Sequence, residues 1–243
     1  MHQIETIISP ALFHLHEEGI AHKHVVVIDI LRATTTICVA FANGAKEILP
    51  VASPEEAAAM QKQGWIAAAE RNGETVPGFD LGNSPQDYRV ETVSGRKIAL
   101  TTTNGTRALQ MSSAASHVWV GSFLNAQTLC DRLIDDNRDV LLFCAGWKDK
   151  FNLEDTVFAG YLASLLSEHF SITDDATLAA IDLYNLAAAD LKGYLQKASH
   201  VNRFKSLHIE TDLEACLKLN TLSVLPEFRS GSIQNSQYAP TQS

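Results

Sequence analysis

Along the chain, short apolar runs alternate with stretches in which apolar residues return every three or four positions. The runs Val25–Leu31, Glu47–Val51, Ile66–Ala69, Lys97–Thr102, His117–Gly121 and Asp139–Cys144 predict strands. Several are apolar without a break, as strands covered on both faces are. The intervening spacing predicts helices. Thr35–Asn43 would stop at Gly44, which suits a helix C-terminus. Ser53-Pro54-Glu55-Glu56 reads as a helix start, with a capping Ser, a Pro in the first turn and an acid three residues after the cap. Asn125–Asp136 and Glu154–Phe170 carry apolar residues at helical spacing. This alternation predicts an α/β layered domain.

After Phe170 the pattern turns helical. A segment rich in Ala and Leu runs from Asp174-Asp175 toward Lys197, and a further helix near Leu213–Leu219 precedes the apolar "LSVLPEF". Residues 229–243 are polar and aperiodic and are expected to be an unstructured tail. No repeat or interdomain linker is visible, so residues 1–228 are expected to form one domain.

Composition narrows the function classes. With 46% hydrophobic residues in 243, the chain can bury a core without disulfide support. A formal net charge of -9 argues against a nucleic-acid partner, which selects for a basic face. Cys38, Cys130, Cys144 and Cys216 are far apart and form no C-x-x-C, so a zinc site of the usual spacing is not expected. The expectation is a cytoplasmic protein with reduced thiols, without a secretory signal or a membrane span, and with a homo-oligomer left open.

Ligands of α/β sheets bind beyond the carboxyl ends of the strands. Polar and charged residues recur at those ends here. The first strand runs into Asp29, Arg32 and Thr34–Thr36. A carboxylate such as Asp29 at the end of a buried strand needs a metal, an arginine or a helix start as partner. Arg32 can grip a phosphate or sulfonate through two parallel hydrogen bonds, or it can sit in an internal Asp–Arg pair. "TTTNGTR" offers Thr103, Asn104, Gly105, Thr106 and Arg107 where a strand enters a helix, which is either an ordinary capped turn or a seat for an anion. The long polar excursion after Glu70 and Arg71 has Gly73, Gly78 and Gly82, whose presence suggests special backbone angles. It also brings Asp80 and Asn83, oxygen donors suited to a hard cation. Ser84-Pro85 reads as another cap. Glu154 and Asp155 fall in a first helical turn, either complementing the dipole or joining Asp29 and Asp80 around a cation. Cys144 at a strand end has no adjacent His and no C-x5-R loop, and reads as a buried small residue. His200, after the long helices, is a further candidate, with a structural role favoured.

Taken in order, "VIDILRATTT", "ER" with "GFDLGNSP", "TTNGT", "CAG" with "FNLEDTVFAG", and the late "SH" and "C" before "VLP" resemble the 2-phosphosulfolactate phosphatases, the ComB family. The resemblance spans from the first strand to Pro226. It implies a three-layer α/β/α fold with a mostly parallel or mixed sheet. It also implies Mg2+-dependent hydrolysis of 2-phospho-3-sulfolactate to 3-sulfolactate and phosphate, a step toward coenzyme M. The catalytic candidates become Asp29, Arg32, Asp80, Glu154 and Asp155, with Asp29, Asp80, Glu154 and Asp155 also as Mg2+ ligands. Thr34, Arg71, Asn83, Thr103, Asn104, Gly105, Thr106 and Arg107 become substrate-binding candidates. The nucleophile is either metal-activated water or Asp29 itself. A different phosphorylated hydroxy acid as substrate, or an anion binder without catalysis, are the rival readings. A haloacid-dehalogenase-type site is disfavoured because Leu31 stands where its second Asp belongs.

Overall fold

A computed structural model describes residues 1–71, 74–206 and 210–236. In chain order the elements are β1 (Gln3–Ile7), β2 (His24–Ile28), α1 (Ala33–Ala42), β3 (Glu47–Pro50), α2 (Pro54–Gln61), β4 (Ile66–Arg71), β5 (Glu74–Thr75), α3 (Val90–Val93), β6 (Lys97–Thr101) and α4 (Gly105–Met111). There follow β7 (His117–Gly121), α5 (Ala126–Asp136), β8 (Val140–Cys144), α6 (Leu153–Leu166), β9 (Ser171–Ile172), α7 (Asp175–Ala187), α8 (Leu191–Leu195), α9 (Ser199–Ser206), α10 (Glu210–Cys216), β10 (Pro226–Arg229) and β11 (Ser232–Asn235).

The strands form one sheet in the order β5-β4-β6-β3-β11-β10-β7-β2-β8-β1-β9. It contains two parallel blocks. One is β9-β1-β8-β2-β7 and the other is β3-β6-β4. The hairpin β10-β11 lies between them, antiparallel to β7 on one side and to β3 on the other. Three antiparallel ladders in succession reverse the sense of the second block. Twist of roughly 20–25° per pair accumulates over the five pairs from β2 to β6, and this swings the carboxyl ends of both blocks toward one crevice.

Both sheet faces are covered, giving the expected three layers. Val25 and Val27 of β2 belong to a core with α1 and α4, while Val26 and Ile28 belong to another with α5 and α6. A small third core joins Ala57 of α2 to Ala67 and Ala99. The uninterrupted apolar strands are therefore those with helices on either side, as the pattern predicts.

Several local expectations hold. Ser53 caps α2 by accepting from Glu56 N at 3.3 Å, and Gly44 ends α1 at φ +89°. Others are corrected. The helix predicted to Phe170 ends at Leu166, and the chain re-enters the sheet as β9. The segment expected as a tail from residue 229 is ordered through 236, because Ser230 and Gly231, at φ +51° and +85°, make a tight two-residue turn that folds β11 back on β10. Residues 237–243 lie outside the described residues. β1 had no counterpart among the predicted strands. Gly78 has the positive φ expected of it, whereas Gly82 has no positive φ and lies close to Thr75, where a Cβ would come within 2.2 Å of the Thr75 Oγ1 hydroxyl. Gly73 lies outside the described residues.

Gly160 marks the closest helix approach. A Cβ there would lie 1.9 Å from the Ala180 carbonyl oxygen of α7, and a backbone atom cannot rotate away. Gly160→Ala is expected to cost about 1–3 kcal/mol by overpacking. Thermal denaturation should show a midpoint lowered by roughly 2–4 °C for each of those kcal/mol. An unchanged midpoint would mean that α6 and α7 separate freely.

Candidate active site

The crevice is built where β2, β4, β6 and β8 end. Beyond β2 the backbone makes a closed loop. Asp29 N donates to Thr34 Oγ1 at 3.1 Å, and both Thr34 N and Thr34 Oγ1 donate to Asp29 O. Thr34 is thus buried and shapes the loop rather than facing a ligand. Asp155, in the first turn of α6, accepts from Ile30 N at 2.9 Å and from Gly146 N at 3.0 Å. One carboxylate thereby fixes the chain leaving β2 and the chain leaving β8, and the backbone at Asp29 is held between them.

Asp29 is buried beside other acids. Burial pushes its carboxyl up to about 6; His200 and the Ala33 amide pull it down, while Glu70 and Glu154 push it further up. Asp155 is held well above the usual carboxylate range by burial, then by Glu154 and Asp29. Glu154 is only 1% exposed; His200 Nδ1 lies 2.7 Å from its Oε1, while its Oε2 is buried without a hydrogen-bond partner. Three buried carboxylates and the His200 imidazole therefore lie within electrostatic reach of one another. Such crowding disfavours full ionisation and favours any bound cation.

Gly105 opens α4 directly opposite Asp29. A Cβ at this position would lie 2.9 Å from Asp29 Oδ2 and 2.6 Å from Ala33 Cβ. The close approach explains the glycine in "TTTNGT". Thr106 is buried and bonded back to Thr102, Thr103 is exposed, and Asn104 Oδ1 accepts from Lys148 N at 3.3 Å. The capped-turn reading describes these side chains.

Arg32 is buried and pairs with Asp212 of α10, Nη1 to Oδ2 at 2.5 Å, instead of with Asp29. The other oxygen of Asp212 accepts from Ser84 Oγ at 2.7 Å and Gln86 Nε2 at 3.0 Å. The Ser84 hydroxyl therefore does not cap the short turn it precedes. Arg71 donates to Glu70 O and Thr101 Oγ1, at the ends of β4 and β6. Arg107 is exposed and paired with Asp149.

Asp80 stands apart from this group. Its carboxylate is exposed and accepts from Ala67 N and Gln61 Nε2, at the opposite end of β4 from Glu70. Asp80 is therefore not brought to Asp29, Glu154 and Asp155, and the expected four-carboxylate set is not assembled. Its place beside Asp29 is taken by Glu70. Among the described residues no three His, Cys, Asp or Glu side chains form a ready cation cage. Cys144 and Cys216 are buried thiols, Cys144 pushed well up by burial and Cys216 up to about 12, so neither is a nucleophile at neutral pH. Sequence reasoning missed Glu70 and Asp212 as site residues and undervalued His200. Glu70 sits at a strand end, where position alone points to it; nothing local marks Asp212 in "ETDLEAC".

The family model described as 2-phosphosulpholactate phosphatase matches residues 11–231. A protein of Symbiobacterium thermophilum named "Probable 2-phosphosulfolactate phosphatase" is 39% identical over 222 residues, 89% of this chain and 95% of its own. Proteins of the same name from Caldicellulosiruptor saccharolyticus and Carboxydothermus hydrogenoformans are 38% and 41% identical, over 88% and 84% of this chain and 92% and 86% of theirs. With the matched segment running from residue 11 to the turn between β10 and β11, the chain belongs to the 2-phosphosulfolactate phosphatase family.

Proposed function

We propose that the protein is a phosphoric monoester hydrolase that cleaves 2-phospho-3-sulfolactate to 3-sulfolactate and phosphate with Mg2+. The relatives' names support the substrate. The observation that carries the chemistry is the buried group Asp29, Glu154 and Asp155 at the strand ends, with one glutamate oxygen left unpaired. Mg2+ needs only one or two carboxylates when a substrate phosphate and water complete its shell, so the absence of a full cage is compatible with it. Glu154 and Asp29 are the residues that would hold it, and it would supply positive charge against the phosphoryl oxygens.

The chain's own groups do the rest. Arg32 adds a fixed positive charge near the phosphoryl group, oriented by Asp212. Asp155 keeps the two loops in register. The carboxylate of Asp29 takes a proton from the attacking water. His200, held by Glu154, is placed to return a proton to the leaving alkoxide oxygen.

Phosphate release from 2-phospho-3-sulfolactate, measured with Mg2+ and with EDTA, tests the proposal. Release with Mg2+, lost in EDTA and restored by added Mg2+, is the expected result. Equal rates in both would remove the cation from the mechanism. No release in either would remove the substrate, and a panel of other small phosphorylated hydroxy acids would follow.

A further inference from the structure

Asp80, which stands apart from the buried acids, borders a second cavity. That cavity measures about 430 Å³ and opens at the starting ends of β4 and β6. Its walls include Gln61, Trp65, Asp80, Glu91, Thr92 and Arg96. Glu70 lies four residues beyond Ile66 on β4, so roughly 13 Å of strand separates the cavity from the crevice at Asp29. The volume is in the range of small-molecule sites, about 300–1,000 Å³.

The charged groups of this cavity are open to a ligand. Arg96 and Glu91 are exposed, and neither side chain has an ion pair or hydrogen bond among the described residues. Asp80 accepts from Ala67 N and Gln61 Nε2 through Oδ2 alone, which leaves its Oδ1 open. The half-buried Trp65 indole and Ile66 form the apolar wall. Lys97 Nζ stands 4.9 Å from the centre of the Trp65 ring, but Glu47 neutralises it at 2.7 Å. What remains to be matched is two carboxylates, one guanidinium and an apolar wall.

We propose that this cavity binds a basic α-amino acid of the lysine, ornithine or arginine class. The α-carboxylate meets the Arg96 guanidinium, whose fork holds a carboxylate through two parallel hydrogen bonds. The α-ammonium and the side-chain cation meet Asp80 and Glu91, and the methylene stem lies along Trp65. Such a ligand carries two positive charges and one negative, the complement of the cavity. A neutral-chain zwitterion leaves one carboxylate unmatched, and a diamine leaves the guanidinium unmatched. A phosphate ester or sulfonate would face two carboxylates against one arginine, so the site is not one for the phosphatase substrate. The proposal is independent of the chemistry at Asp29.

Calorimetric titration of the whole protein at low salt tests it with three probes. L-lysine carries all three charges, L-norleucine lacks the side-chain ammonium, and cadaverine lacks the carboxylate. Lysine is expected to bind with a Kd of about 1 mM or tighter. Norleucine and cadaverine should each bind about fivefold more weakly, or worse. Glu91→Gln should remove most of the preference for lysine over norleucine, and Arg96→Gln most of the preference for lysine over cadaverine. Both side chains are exposed, so neither substitution is expected to disturb the fold. Inorganic phosphate should not compete with lysine. A lysine Kd weaker than about 10 mM, equal affinity for the three probes, preferences unchanged in the variants, or competition by phosphate would each overturn the proposal.

Discussion

The Asp29→Asn protein is expected to melt several degrees above the parent at neutral pH while losing at least about a thousandfold in kcat. The gain in stability follows from the direction of the carboxyl's shift. Asp29 titrates near 3.8 when unfolded and at about 6 when folded, because burial and the neighbouring Glu70 and Glu154 carboxylates oppose its charge. A carboxyl that holds its proton more tightly in the folded state destabilises the fold once it must ionise. That penalty is absent below pH 4, grows between pH 4 and 6, and is complete above pH 6. A shift of about two units corresponds to roughly 3 kcal/mol at most. Asparagine is nearly isosteric, is never ionised, and can still accept from the Ala33 amide. In metal-free buffer at pH 7.5 the variant should therefore gain about 1–3 kcal/mol, or roughly 2–12 °C for a chain of this size. At pH 4 the two proteins should melt together. A variant that melts no higher than the parent at pH 7.5 would mean that neither burial nor the acids around Asp29 oppose its charge. A variant with near-normal kcat would remove Asp29 from the chemistry. Activity and stability are opposed at this residue, as is common where a site needs charges that the fold would exclude.

The opposite sign is expected at Asp212. Its carboxylate is buried and takes three side-chain donors, from Arg32, Ser84 and Gln86. Asp212→Ala removes a carboxylate partner from the Arg32 guanidinium, itself 4% exposed. Removing one partner of such a pair costs about 3–5 kcal/mol, far more than the pair contributes relative to a well-packed apolar replacement. Urea denaturation should show the single variant destabilised by that amount. The double variant Arg32→Met, Asp212→Ala should recover much of it, because the buried guanidinium is then gone as well. A single variant within about 1 kcal/mol of the parent would show that water reaches Arg32 once Asp212 is gone. The double variant should still be inactive, since Arg32 is the positive charge nearest Asp29 along the chain.

These two residues also illustrate how far the sequence could be read. Asp29 was legible because it ends a run of apolar residues, where a charge has to have a reason. The six predicted strands were legible on the same ground, and each lies in the sheet. Glu154 and Asp155 were legible as acids at a helix start, although not the division of labour between them, in which Asp155 holds backbone and Glu154 holds His200. Asp212 was not legible. Its importance comes from a contact 180 residues away in sequence, and a single acid on a short helix carries no local sign of that. Asp80 was misread for the complementary reason. Its motif is rich in oxygen donors, but the chain returns along β4 and leaves the carboxylate at the strand's starting end. The β10–β11 hairpin was hidden by polar composition, although "RSGS" holds the two-residue turn that makes it.

That hairpin has a consequence for how the protein is made. β10 and β11 are the last strands among the described residues, yet they occupy the middle of the sheet. Until the ribosome has released them, β7 and β3 are two open edges with unmatched backbone groups, one on each half of the molecule. Open edges of this kind recruit strands from other chains. The two halves, including the residues that meet at Asp29 and Gly105, are joined by strand pairing only when the C-terminal segment arrives. Synthesis of this segment therefore closes a seam, and a chain stopped before Pro226 would be left with two exposed half-sheets rather than a shortened tail.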